Sequence, residues 1–232
     1  MRPFGPGVFG RGIRRMSSGC GSGWQARGTG QFFVGLDLGQ SRDFTAIAVL
    51  ERAELTGEWD AVAFGRKKTT ALRLRYLERV ALGTPYPEVV ERVKQVTRSA
   101  DLAGRCQLIA DATGVGRPVM DMLRRAELGS RRLWPVLITG GDAEKMADGY
   151  YRVPKRDLVV GLQVLLQRRE LKIAAGLAFG KTLVREMMEM RVKITAAGNE
   201  QYGAWREGEH DDLVLAVALA GWGARKAGPR AA

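Results

Sequence analysis

The segment Gln31-Phe32-Phe33-Val34-Gly35-Leu36-Asp37-Leu38-Gly39 decides how this chain is read. An almost unbroken apolar run closed by a glycine predicts a buried strand over residues 32–38. A carboxylate near the end of such a strand is costly to bury unpaired. Asp37 therefore needs a cation, a hydrogen-bond cage or an open sheet face. A second run rich in β-branched residues, 45–50, follows a short turn over 39–44, so the pair predicts an antiparallel hairpin.

Outward from that hairpin, residues 59–64 predict a third strand. Val89, Val90, Val93 and Val96 recur at helical spacing, which predicts a helix over 87–99. A short buried strand over 107–110 ends at Asp111, a turn through Gly114 and Gly116 follows, and Pro118 near a first turn opens a helix over 119–125. A strand over 133–138 runs into Gly140-Gly141. Leu158, Leu162, Leu165 and Leu166 share one face of a helix over 154–169. Then come a short strand over 171–174, a helix over 179–190, a hairpin of 192–195 with 201–204 around Gly198-Asn199, and a last helix over 211–222. A strand meander followed by alternating helices and strands indicates an α/β domain with a mixed central sheet covered by helices on both faces.

The chain has 232 residues and a net charge of +12, an excess that calls for an acidic partner, nucleic acid above all. Arg2, Arg11, Arg14, Arg15 and Arg27, with no acid among them, place +5 of this in residues 1–30. That Gly/Arg-rich stretch is expected to be a disordered tail or an accessory DNA-binding arm, ahead of a folded domain over 31–224 and a flexible tail over 225–232. Two cysteines, Cys20 and Cys106, and the lone His210 exclude a thiolate–imidazole metal site and point to a reducing cytoplasm. No apolar run approaches the roughly 20 residues that span a bilayer, so no membrane partner is expected.

Three acidic positions lie at element ends: Asp37, Asp111, and Asp211 with Asp212 in His210-Asp211-Asp212-Leu213-Val214. Each alone has a plain explanation. Asp211 suits a helix cap, Asp111 a turn, and Asp37 an exposed sheet face. Together they are separated by 74 and 100 residues, as a composite site built from distinct elements requires. Oxygen-only ligands without Cys or His suit Mg2+ or Mn2+. Two such ions about 4 Å apart activate water and stabilise the leaving oxygen in phosphodiester hydrolysis.

The stretches Gly35 to Ala46, Ile109 to Gly116 and Gly208 to Ala216, with Ile138-Thr139-Gly140-Gly141, Val153-Pro154-Lys155-Arg156-Asp157-Leu158 and Leu183 to Glu186, resemble the nuclease domain of phage terminase large subunits over roughly residues 31–222. The resemblance implies an RNase H-like fold and a two-metal endonuclease for double-stranded DNA, of the kind that cuts concatemeric phage DNA during packaging. It implies Asp37, Asp111 and Asp211 as metal ligands, with Asp212 and Asp43 as secondary contributors. His210 is expected to shape the helix entrance. Lys155, Arg156 and Arg152 are candidate phosphate contacts. Full terminase subunits precede this domain with a P-loop ATPase, and no Gly-x-x-x-x-Gly-Lys-Ser/Thr occurs here. The implied partners are then a separate packaging ATPase, a small terminase subunit and a portal, in the cytoplasm of a bacterial host.

Three other readings compete. An actin- or sugar-kinase-like ATPase shares the strand–Asp–Gly opening, but needs two such domains and has no use for the His-Asp-Asp helix start. A Holliday-junction resolvase shares the acidic core and would prefer branched DNA. A catalytically dead module would bind DNA without metal-dependent cleavage.

Overall fold

The computed structural model describes residues 25–39, 43–114, 116–194, 200–203 and 210–228. Strands β1 (Gln25–Asp37), β2 (Ala46–Asp60) and β3 (Gly65–Arg79) form an antiparallel meander. Helix α1 (Tyr86–Thr97) leads to β4 (Cys106–Asp111), which lies parallel to β1 on its other side. After α2 (Gly116–Arg125) come β5 (Leu133–Thr139), the short β6 (Lys145–Ala147) and β7 (Tyr150–Pro154). Helix α3 (Lys155–Gln167), β8 (Leu171–Ile173), α4 (Gly180–Glu189), the hairpin β9 (Arg191–Ile194) with β10 (Glu200–Gly203), and α5 (Asp212–Lys226) complete the chain. The main sheet has the order β6-β7-β5-β4-β1-β2-β3-β8. It is a mixed sheet with helices on both faces, the RNase H-like α/β architecture.

Side chains on a strand alternate between faces, and β1 sorts its residues accordingly. Phe32, Val34 and Leu36 join the core under α1 and α2, with Val93, Met120 and Leu123. Phe33 joins the opposite core under α3, α4 and α5, with Leu158, Leu183 and Val217. Gly35 and Asp37 share the parity of Phe33. Ile109 also lies in the α5 core, so Asp111, two residues on, faces the same way. Helix α5 is buried over nearly its whole length, as expected of a helix apolar all round.

The alternation and helical spacing translated into the observed elements within a few residues, apart from β2, which was expected over 45–50 and runs on to Asp60, and three further departures. The strand expected over 59–64 is not there. Trp59 and Asp60 end β2, and the chain then turns, with the Asp60 carboxylate accepting the N–H groups of Val62 (3.0 Å) and Ala63 (3.1 Å). The apolar residues that suggested a strand, Val62 and Phe64, lie exposed at the hairpin tip. The true third strand, β3, escaped notice because its arginines and lysines obscure the inward Leu72, Leu74 and Leu77. Second, β6 and β7 form an unanticipated two-strand edge in which Tyr151 and Arg152 pair with both β5 and β6. Third, the domain boundary expected at Gln31 falls inside β1, which begins at Gln25, and α5 runs past 224 to Lys226. Most of the basic 1–30 segment, and Cys20, lie outside the described residues, as does the Gly198-Asn199 turn. Among the described residues no helix is long and apolar enough to cross a membrane.

Cys106 is fully buried at the start of β4, and burial pushes its thiol up to about 12. A thiolate is the reactive form. A thiol reagent near neutral pH should therefore leave Cys106 unmodified in the folded chain, and peptide mapping should find it labelled only after denaturation.

A candidate metal centre at the end of the sheet

Asp37 is the last residue of β1 and Asp111 the last of β4, and the register pairs their predecessors Leu36 and Ala110. The two carboxyls stand side by side, close enough to perturb one another. Helix α5 runs antiparallel to β1. A Cβ on Gly35 would meet Ala216 and Ala220, whereas one on Gly223 would meet Ile109 and Phe33. The N-terminus of α5 is thereby brought back over the end of β1, with Asp211 at its N-cap and Asp212 in its first turn.

Four carboxylates thus gather at one end of the sheet. Asp37 is nearly buried, and its carboxyl is raised well above the usual carboxylate range, first by burial and then by Asp111, Asp211 and Asp212, with Lys155 opposing. Burial also raises Asp111, against a hydrogen bond its Oδ1 accepts from the Thr113 N–H at 2.8 Å. Thr113 in turn offers its hydroxyl oxygen to the Ile138 N–H at 2.7 Å, which fixes the turn after β4 to the neighbouring strand.

Two cations hold the other pair. Lys155, the first residue of α3, places Nζ 2.7 Å from Asp211 Oδ2. Arg79, the last residue of β3, grips Asp212 with both ends of its fork, Nε to Oδ2 at 2.8 Å and Nη2 to Oδ1 at 2.9 Å. Such bidentate pairing fixes a carboxylate in orientation as well as in charge. The same guanidinium pairs with Glu186 of α4 and lies 4.7 Å from the centre of the Phe44 ring. His210 meets the edge of Phe44 with ring centres 5.0 Å apart, so it packs at the entrance to α5. Asp43 is exposed on the loop between β1 and β2, where its backbone oxygen leaves no room for a Cβ on Gly39.

Of the candidate phosphate contacts, Lys155 points into the carboxylate cluster. Arg156 is turned toward Asp142 and Asp157, and Arg152 toward Asp148. Arg79 and Glu186 were not singled out as site residues. A glutamate at the core-facing position three after Leu183 was a legible anomaly, whereas Arg79 sits in a strand whose charges gave no sign of which would be buried.

Among the described residues no three His, Cys, Asp or Glu side chains already stand at metal-ligand spacing. The arrangement is a neighbouring pair, Asp37 with Asp111 at the ends of adjacent strands, beside two carboxylates occupied by Lys155 and Arg79. Its donors nevertheless suit a hard divalent ion, being all carboxylate oxygens. Burial raises both carboxyls, and at Asp37 the neighbouring acids add to it, which marks a place short of positive charge.

No family model matches the sequence, and no curated protein is matched by it. Solved structures do match. The large terminase nuclease of thermophilic phage G20c superposes with a TM-score of 0.58 at 22% identity, over 82% of this chain and 80% of that one. A second structure of that nuclease, with bound magnesium, gives a TM-score of 0.57 at 23% identity, over 83% and 80%. The nuclease domain of the large terminase subunit gp2 of bacterial virus Sf6 gives 0.55 at 12% identity, over 84% and 89%. The fold of this chain is that of the large terminase nuclease domains.

Proposed function

We propose that this chain is a divalent-metal-dependent endonuclease that hydrolyses double-stranded DNA, as a terminase nuclease does when it cuts concatemeric phage DNA for packaging. One observation carries the reading. Three carboxylates far apart in sequence, Asp37, Asp111 and Asp211, gather at one end of the sheet in a fold shared with terminase nucleases. These three would hold the ions. A pair of bound Mg2+ or Mn2+ ions would supply Lewis acidity, a nucleophilic water at neutral pH and charge neutralisation at the leaving oxygen.

The rest is done by the chain. The ends of β1 and β4 present Asp37 and Asp111 from adjacent strands, a rigid base that fixes their separation. Lys155 keeps a cation beside Asp211 and offsets the mutual repulsion of the cluster. Arg152 and Arg156 lie in β7 and α3, flanking Lys155, and would contact the DNA backbone with their partly exposed side chains. The packaging machinery, a small terminase subunit and a portal included, would be the partner, and the bacterial host cytoplasm the compartment.

Incubation with supercoiled plasmid tests this directly. Nicked and linear products should form with Mn2+ or Mg2+, disappear in EDTA, and fail to form with Asp111→Ala. Cutting that persists in EDTA, or in the Asp111→Ala protein, would remove the metal-site assignment.

A further inference from the structure

The first N–H groups of a helix have no partner within it, and an aspartate at the N-cap ordinarily accepts them. Asp211 occupies that position in α5 yet makes no side-chain cap bond. Glu186, reaching across from α4, does so instead. Its Oε2 accepts the N–H groups of Leu213 at 3.2 Å and Val214 at 3.4 Å. Glu186 is 3% exposed, and its other oxygen is held by Arg79. A buried carboxylate with donors on both oxygens has a fixed orientation.

We propose that Glu186 is a positioning residue that caps α5 in place of Asp211, leaving the Asp211 carboxylate free to face Asp37 and Lys155. The positive end of a helix attracts a carboxylate, and Asp211 is the nearest one in sequence. With Glu186 already in the cap, Asp211 is left to Lys155, 2.7 Å away. Arg79 completes the arrangement. By gripping Glu186 and both oxygens of Asp212 it ties the end of β3 to α4 and α5. Asp212 is thus committed to Arg79, and of the two adjacent aspartates Asp211 is the one turned toward the cluster. The inference rests on the metal-site reading above for its purpose, but the cap exchange can be measured without it.

In the metal-free full chain, amide hydrogen exchange at Leu213 and Val214 should rise only modestly in Glu186→Ala, because Asp211 turns to fill the vacated cap. It should rise sharply in the double variant Glu186→Ala with Asp211→Ala. Mn2+ affinity, read from the paramagnetic resonance of unbound ion, should fall about tenfold or more in Glu186→Ala, as loss of a residue supporting a ligand does. Glu186→Gln keeps one acceptor oxygen and should fall between, and it stands in should the alanine variant not fold. Unchanged exchange in the double variant, or Mn2+ affinity within twofold of the parent in the folded single variants, would overturn the proposal. If the parent itself binds no Mn2+, the metal reading fails, and the exchange pattern alone then upholds or overturns the cap assignment.

Discussion

Asp37→Asn should reduce DNA cleavage by about a thousandfold or more, equivalent to about 4 kcal/mol of transition-state stabilisation, while leaving the metal-free protein at least as stable as its parent. The two halves of this expectation have one cause. Asp37 is buried at the end of β1 and faces Asp111, Asp211 and Asp212, so its charge is opposed from several sides. An amide of the same shape removes that opposition and also removes a candidate ligand shared by the cluster. Melting curves in EDTA should therefore show no loss of stability in the variant. In Mn2+ the parent alone should gain, because an ion that binds only the folded state stabilises it by mass action. Rates from plasmid linearisation and paired melting curves with and without Mn2+ check both parts. A variant that retained a tenth of the parent rate would sink the assignment of Asp37, whatever its stability.

Gly35→Ala is the substitution expected to cost most in stability. A Cβ at Gly35 would lie 1.9 Å from the carbonyl oxygen of Ala216 and 2.9 Å from the nitrogen of Ala220, both backbone atoms of α5. Overpacking a core commonly costs about 1–3 kcal/mol when side chains can shift. Here no side chain can give way, so α5 itself must lift from β1, and a loss of about 3 kcal/mol or more is expected. Because α5 carries Asp211 and Asp212 over the end of β1, that shift should also lower cleavage in whatever fraction remains folded. Urea unfolding followed by tryptophan fluorescence measures the first effect. A midpoint unchanged from the parent would show that α5 does not pack as closely as described. Ala216, Ala220 and Gly223 recur on the same face of this helix, which is what lets it approach the sheet.

That packing explains why part of the molecule was readable beforehand. The strand over Phe32–Leu38, the helices, and the mixed α/β layering follow from hydrophobic spacing, which is local and survives in a single sequence. Asp37 and Asp111 were legible because each interrupts an apolar run at a strand end, where an acid needs a reason. The β2–β3 tip misled because Val62 and Phe64 are apolar residues that stay exposed. β3 was missed because Arg73, Arg75 and Arg79 dominate its composition while their charges are neutralised by Glu51, Glu186 and Asp212 from other elements. A buried ion pair leaves no periodic trace: the sequence shows the charges, not their partners.

From its residues alone, this chain declared its α/β layering, its helices, the hairpin that opens it, and the acidic positions from which a composite site could be drawn, since burial patterns repeat every two or 3.6 residues along one segment. Which cation meets which acid was decided only in three dimensions. Arg79 and Asp212 are 133 positions apart, Arg79 and Glu186 are 107 apart, and Lys155 and Asp211 are 56 apart. No local pattern carries such pairings. They exist because α3, α4 and α5 converge on one face of the sheet and bring those ends together.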